Sequence, residues 1–150
     1  MHSPWTDNEL GQESSAVTTA HRWSPAGVAP PIGRYSQLAA VPVDHELLFI
    51  SGQVGLPEDA GDAYAQTRSA LLAIAALLDS VGEGPESLVK LVTFVSGIDN
   101  LPGFYAARDE LFDLWYPSGD VPAHSLAVVA ALAQPHLLVE IEGVAACRRR

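Results

Sequence analysis

The residues whose types and spacing could do chemistry concentrate in positions 121–144, VPAHSLAVVAALAQPHLLVEIEGV. The end of this stretch alternates as a strand does. Leu137, Val139, Ile141 and Gly143 fall on one face and His136, Leu138, Glu140 and Glu142 on the other, because successive strand side chains point to opposite sides. Two carboxylates on one face of an otherwise apolar strand are costly unless they are solvated or used. A carboxylate held there can accept a proton from water or hold that water beside an electrophilic carbon. His124 follows the Pro122-Ala123 turn at the mouth of a strand. An imidazole in that place can act as acid, base or hydrogen-bond donor near neutral pH. The phenol of Tyr35 can orient a polar ligand, although packing would use it equally well. Ser51-Gly52 closes an apolar run, and a glycine there lets another group approach the backbone closely.

Other chemistries find less support. His2, His21, His45, His124 and His136 show no HxH, HxxxH or HExxH spacing, so no metal site is expected. Gly52-Gln53-Val54-Gly55 is too short for a phosphate loop and does not lead into a GK[ST] pattern. Ser125 lacks the context of a nucleophile elbow. Glu142 reads as structural or solvated, and His136, beside Pro135, as a turn residue.

The elements that must position these residues can be read in chain order. Residues 1–25 are polar and aperiodic, with Trp5 and Trp23 as the only large anchors. They are expected to form an extension that is loose or docked on a neighbour. A chain beginning near Ala26 is accordingly expected to stay folded. Residues 30–35, PPIGRY, form a stiff lead-in loop. Strands are predicted over 35–43 and 46–51, and the run Leu47-Leu48-Phe49-Ile50 suits a strand buried on both faces. Helical spacing covers 59–81, with Ala63, Ala70, Ile74, Leu77 and Leu78 on one stripe, and stops at Gly82 and Gly84-Pro85. A strand over 87–96 follows. A second helix over 101–115 puts Phe104, Ala107, Leu111 and Trp115 on one side. Two final strands lead to a basic tail, residues 148–150. The order β-β-α-β-α-β-β predicts an α+β domain with both helices on one face of the sheet. Something else must cover the opposite face, and subunit association is the simplest answer.

With 150 residues, one domain is expected. A domain of this size buries roughly 70% of its unfolded surface and needs no disulfides. The lone Cys147 could form none internally. The N-terminus lacks the basic and apolar regions of a signal peptide. No apolar run reaches the ~18 residues of a membrane span. A cytoplasmic protein is the expectation. A net charge of −10 repels phosphate backbones and argues against nucleic-acid partners.

Five separated segments resemble one family in order and spacing: PIGRYSQ at 31–37, LLFISGQVG at 47–55, VKLVTFVSGIDNLPGFYAARDELF at 89–112, VPAHS at 121–125 and VEIEGVA at 139–145. They are similar to the YjgF/RidA/liver perchloric-acid-soluble protein family, with residues 26–147 as the matching domain. The resemblance implies a chorismate-mutase-like fold, a homotrimer and small-molecule sites in clefts between subunits. It also implies hydrolysis of reactive enamines and imines to 2-oxo acids and ammonia, without a cofactor. Tyr35, Ser51, Gly52 and Glu140 match family site positions, with Glu140 as the carboxylate that positions water. His124 stands where deaminating members have the Arg that grips the substrate carboxylate, a two-pronged bond an imidazole cannot reproduce. Leu126 stands where Cys is common, though its backbone groups could still serve. Tyr105 replaces a frequent Asn, and Arg34 a frequent Pro, offering a guanidinium by another route. The resemblance therefore implies a hydrolase or deaminase of small conjugated intermediates, or a cyclisation helper, in a subgroup lacking the family Arg. The alternative is a non-catalytic trimeric module that binds small ligands or proteins. Ribonuclease activity is a third option that the acidic charge disfavours.

Overall fold

The computed structural model describes residues 20–149. Strand β1, His21–Trp23, pairs antiparallel with β2, Leu38–Ala40. Strand β3, His45–Val54, leads through a 3-10 turn to helix α1, Ala63–Asp79. Strand β4, Leu88–Ser96, is followed by helix α2, Leu101–Trp115, then by β5, Ala123–Val129, and β6, Val139–Arg148. The main sheet has the order β3-β6-β4-β5. Its β3–β6 and β6–β4 pairs are antiparallel and β4–β5 is parallel. The result is an α+β domain with a mixed sheet and two helices.

Local chemistry accounts for the helices. The Asp62 side chain caps α1 by accepting from Ala65 N at 3.0 Å. Gly82, with φ +80°, turns the chain away after it. Pro102 sits in the first turn of α2, where its missing N–H is not needed. Ala70, Leu71, Ile74 and Leu78 of α1 meet Phe104, Leu111 and Phe112 of α2 over Leu91, Val95, Val139 and Ile141 of the sheet. At the helix crossing, a Cβ on Gly103 would stand 2.9 Å from Tyr64 N, so this close approach needs glycine.

Three expectations change. The run Leu47–Ile50 is not buried on both faces: Leu48 and Ile50 pack on the core, while Leu47 and Phe49 are 48% and 79% exposed. The helices cover one face only, and strand alternation leaves the other apolar set outside. The stretch assigned to an N-terminal extension also contains β1. Arg22, whose side chain is 4% exposed, donates to the carbonyls of Leu88 (3.1 Å), Glu86 and Asp120 (3.1 Å). Its guanidinium lies 5.6 Å from the centre of the Tyr116 ring. Residues 20–23 are therefore bonded to the domain itself. Trp5 lies outside the described residues. The first strand, expected over 35–43, is confined to β2, because residues 34–36 turn to run beside β5.

Candidate functional site

Glu140 lies in β6 between Val54 of β3 and Phe94 of β4. Its neighbours Val139 and Ile141 are fully buried on the helix side, so Glu140 projects to the face without helices. Its start is held by Gln66 of α1. That amide donates to His136 O at 2.9 Å and accepts from Leu138 N at 2.8 Å, pinning the chain two residues before Glu140. Opposite it, β3 carries an extra residue: Ile50 pairs with Gly143 but Gln53 with Ile141. This bulge holds Ser51 and Gly52. A Cβ on Gly52 would fall 2.0 Å from Glu140 Oε1 and 2.8 Å from its Cδ. The carboxylate therefore lies across bare backbone that only glycine leaves open. The structure thus brings together Ser51, Gly52 and Glu140. Glu142 shares the face and is exposed.

His124 lies on the other face. Its Nε2 is 2.8 Å from Thr93 Oγ1, and Thr93 pairs with Ile141, a core residue. The imidazole meets Phe104 edge-on at 6.1 Å and Phe112 at 6.4 Å. Its Nδ1 is buried without a hydrogen-bond partner. Burial, then the positive charges of Arg108 and Lys90, push its pKa down to about 3. It is a neutral imidazole at physiological pH, a hydrogen-bonding group rather than one that titrates near neutrality.

Around His124 stand most of the other candidates. Residues 34–36 run beside the start of β5: Ser36 N donates to Pro122 O at 3.2 Å and Ser36 Oγ to Val121 O at 2.8 Å. Arg34 thereby reaches α2, with Nη1 2.8 Å from Asp113 Oδ1 and 3.6 Å from Asp109 Oδ1. Tyr35 bends back, its hydroxyl accepting from Ile32 N at 3.4 Å. Leu126 follows His124 on the same strand face and packs against the core. Tyr105, 38% exposed, covers a residue the sequence reading passed over, Arg108. That guanidinium is 5.0 Å from the Tyr105 ring centre, 5.5 Å from Phe104 and 5.8 Å from Phe112. Its position four residues after Phe104 was the available signal, since that spacing puts a charge on the buried face of α2.

Two groups thus exist within one chain, Ser51/Gly52/Glu140 on one sheet face and Arg34/Tyr105/His124/Leu126 on the other, with Tyr35 turned back on Ile32 and Gly33. Among the described residues, no group of three or more His, Cys, Asp or Glu could hold a metal ion, and no helix is long and apolar enough to cross a membrane. A cavity of about 270 Å³ lined by Glu46, Leu48, Glu83, Cys147 and others lies apart from every candidate.

The family model described as Endoribonuclease L-PSP matches residues 26–147. This chain belongs to the endoribonuclease L-PSP family. It is similar to the RutC family protein slr0709 of Synechocystis, 29% identical over 121 residues, 77% of this chain and 87% of that protein. The crystal structure of the Rid-family protein YyfB from Yersinia pestis superposes with a TM-score of 0.72 at 28% identity, over 86% of this chain and 99% of that one. PA3499 from Pseudomonas aeruginosa matches with a TM-score of 0.60 at 31% identity, over 84% and 91%. These likenesses cover most of each chain and support the YjgF/RidA resemblance drawn from the five segments.

Proposed function

We propose that this protein is a cofactor-independent hydrolase of small reactive imines, enamines or related conjugated intermediates, with water activated by Glu140. The observation that carries the reading is the Glu140 carboxylate lying across Gly52 in the β3 bulge, on an open sheet face and at the family's matching position. A carboxylate there accepts one hydrogen of a bound water and directs the oxygen at the C=N carbon. Addition forms a carbinolamine. Return of the proton to its nitrogen releases ammonia and leaves a 2-oxo acid, so the balance is imine plus water to ketone plus ammonia. Backbone groups near Ser51-Gly52 and Leu126 polarise the substrate, and Tyr35, Arg34 and His124 orient it.

The two groups lie on opposite faces of one subunit. The reading therefore requires a homotrimer, in which Glu140 of one subunit faces the His124 group of another across an intersubunit cleft. The exposed Leu47 and Phe49 on the Glu140 face support such an association. A cytoplasmic setting fits metabolism of this kind. A second reading, a trimeric ligand-binding or interaction module without turnover, is favoured by His124 in place of the family Arg. Ammonia and 2-oxo acid formed from imines that an amino-acid oxidase generates in the assay decide between them. Turnover lost in Glu140→Gln supports the hydrolase. No acceleration by wild type over a range of imino acids overturns it and leaves the binding module.

A further inference from the structure

The Arg108 guanidinium is a buried cation whose counter-ion is only half committed to it. Its side chain is 9% exposed, whereas that of Asp109 is 44% exposed. Nε and Nη2 both reach the same oxygen of Asp109, Oδ1, at 2.9 and 2.8 Å. Nη1 has no acceptor among the described residues, so Asp109 holds the Nε–Nη2 side of the fork and leaves its terminal Nη1 open. Arg34, 3.6 Å from the same Asp109 oxygen, makes that carboxylate a counter-ion shared by two arginines. Its other partner, Asp113, is 72% exposed. The cations are thus the sheltered members of the cluster and the anions the solvated ones. That order suits exchange of a protein carboxylate for one from solution.

The surroundings restrict what could enter. Phe104 and Phe112 lie beside both the Arg108 guanidinium and the His124 ring. Tyr105, more than a third exposed, lies over the guanidinium on the solvent side. His124 Nδ1 is buried and unpartnered in the same place. A guanidinium fork binds a carboxylate in two parallel bonds, aromatic walls admit a short planar chain, and an orphan ring nitrogen meets one polar atom beside it. We propose that Arg108, assisted by Arg34, is the carboxylate-binding group for a small 2-oxo or 2-imino acid at the edge of β5, displacing Asp109 as counter-ion. This rests on the imine-hydrolase reading for its choice of ligand, and supplies from α2 the grip that position 124 lacks.

The test is binding of pyruvate, a stable 2-oxo acid, to the full-length protein, followed by calorimetry and by the ring resonances of Tyr105 and His124. Methyl pyruvate is the neutral control. Pyruvate is expected to bind at least about tenfold more tightly than its ester, the scale of one charge-assisted hydrogen bond. Asp109→Asn removes the competing carboxylate from a partly exposed position and should tighten pyruvate by about tenfold. Arg108→Lys keeps the charge but loses the fork, and should weaken it by a similar factor. Equal binding of acid and ester, or no tightening in Asp109→Asn, overturns the proposal even if Arg108→Lys fails to fold. Glu140→Gln separates the two ideas, since it should abolish ammonia release and leave pyruvate binding intact. Arg108-dependent binding without any wild-type turnover would sink the hydrolase and keep this site. Turnover whose KM ignores Asp109→Asn and Arg108→Lys would do the reverse.

Discussion

Acidification should destabilise this protein through His124, below the range where histidine ordinarily titrates. The unfolded chain carries an imidazole with a pKa of about 6.5, while the folded one is pushed down to about 3. A depressed folded value means that the unfolded state binds the proton first. The contribution to stability is therefore complete above about pH 6.5 and is lost as pH falls towards 3. Each unit in that window costs about 1.4 kcal/mol, so lowering the pH from 7 to 5 removes about 2 kcal/mol. At pH 5 the loss is set by the unfolded value, because the folded group is still neutral. Geometry explains why: a second ring proton would leave Nδ1–H buried with no acceptor beside the positive charge of Arg108. The assay is urea unfolding at fixed protein concentration and constant m-value, at pH 7, 6 and 5, for wild type and His124→Gln. Glutamine keeps a polar end for Thr93 and takes no proton. The gap between the two curves should shrink by about 2 kcal/mol by pH 5, whatever the shared carboxylates do. Parallel curves would mean that His124 is solvated and titrates normally, and would refute the burial argument.

Gly52→Ala should push Glu140 aside, since the new Cβ meets its Oε1 at 2.0 Å. Imine turnover should fall at least about tenfold with the fold retained, and the double variant with Glu140→Gln should be no worse than Glu140→Gln alone, because both changes act on one carboxylate. Phe49→Asp, on the exposed apolar set of β3, should convert the proposed trimer to monomers in light scattering, and a wild-type monomer at micromolar concentration would end the cleft model. Arg22→Met should cost about 2 kcal/mol in thermal or urea unfolding, because the part-buried Leu88 carbonyl loses its charged donor. A chain starting at Ala26 should lose at least as much, and an unchanged melting point would show β1 to be dispensable.

The parts of this molecule that were legible in the sequence are those fixed by near neighbours. Helix α2 occupies the predicted residues 101–115, because a proline start and an aromatic stripe are local signals. Strand β4 and the Glu140 alternation follow from local apolar patterns in the same way. What was not legible depends on partners far along the chain. His21-Arg22-Trp23 has no periodicity, and its place is decided by bonds to residues more than 60 positions away. The run 47–50 announces its apolarity but not which face a helix will cover. Parity within β5 and within β6 could each be read, yet their relation required the register of β4 between them. That register puts His124 and Glu140 on opposite faces. Arg108 was overlooked for a different reason. A charged residue in a helix is ordinarily assigned to solvent, and Ala107 already filled the apolar stripe. Yet position 108 lies one turn from Phe104 and one before Phe112, and a guanidinium enclosed by their rings cannot be surface decoration. A charge on the buried face of a helix must be neutralised within reach. Here the neutralising carboxylate is itself partly exposed, and that mismatch separates an arginine that only holds the fold from one that can bind an anion.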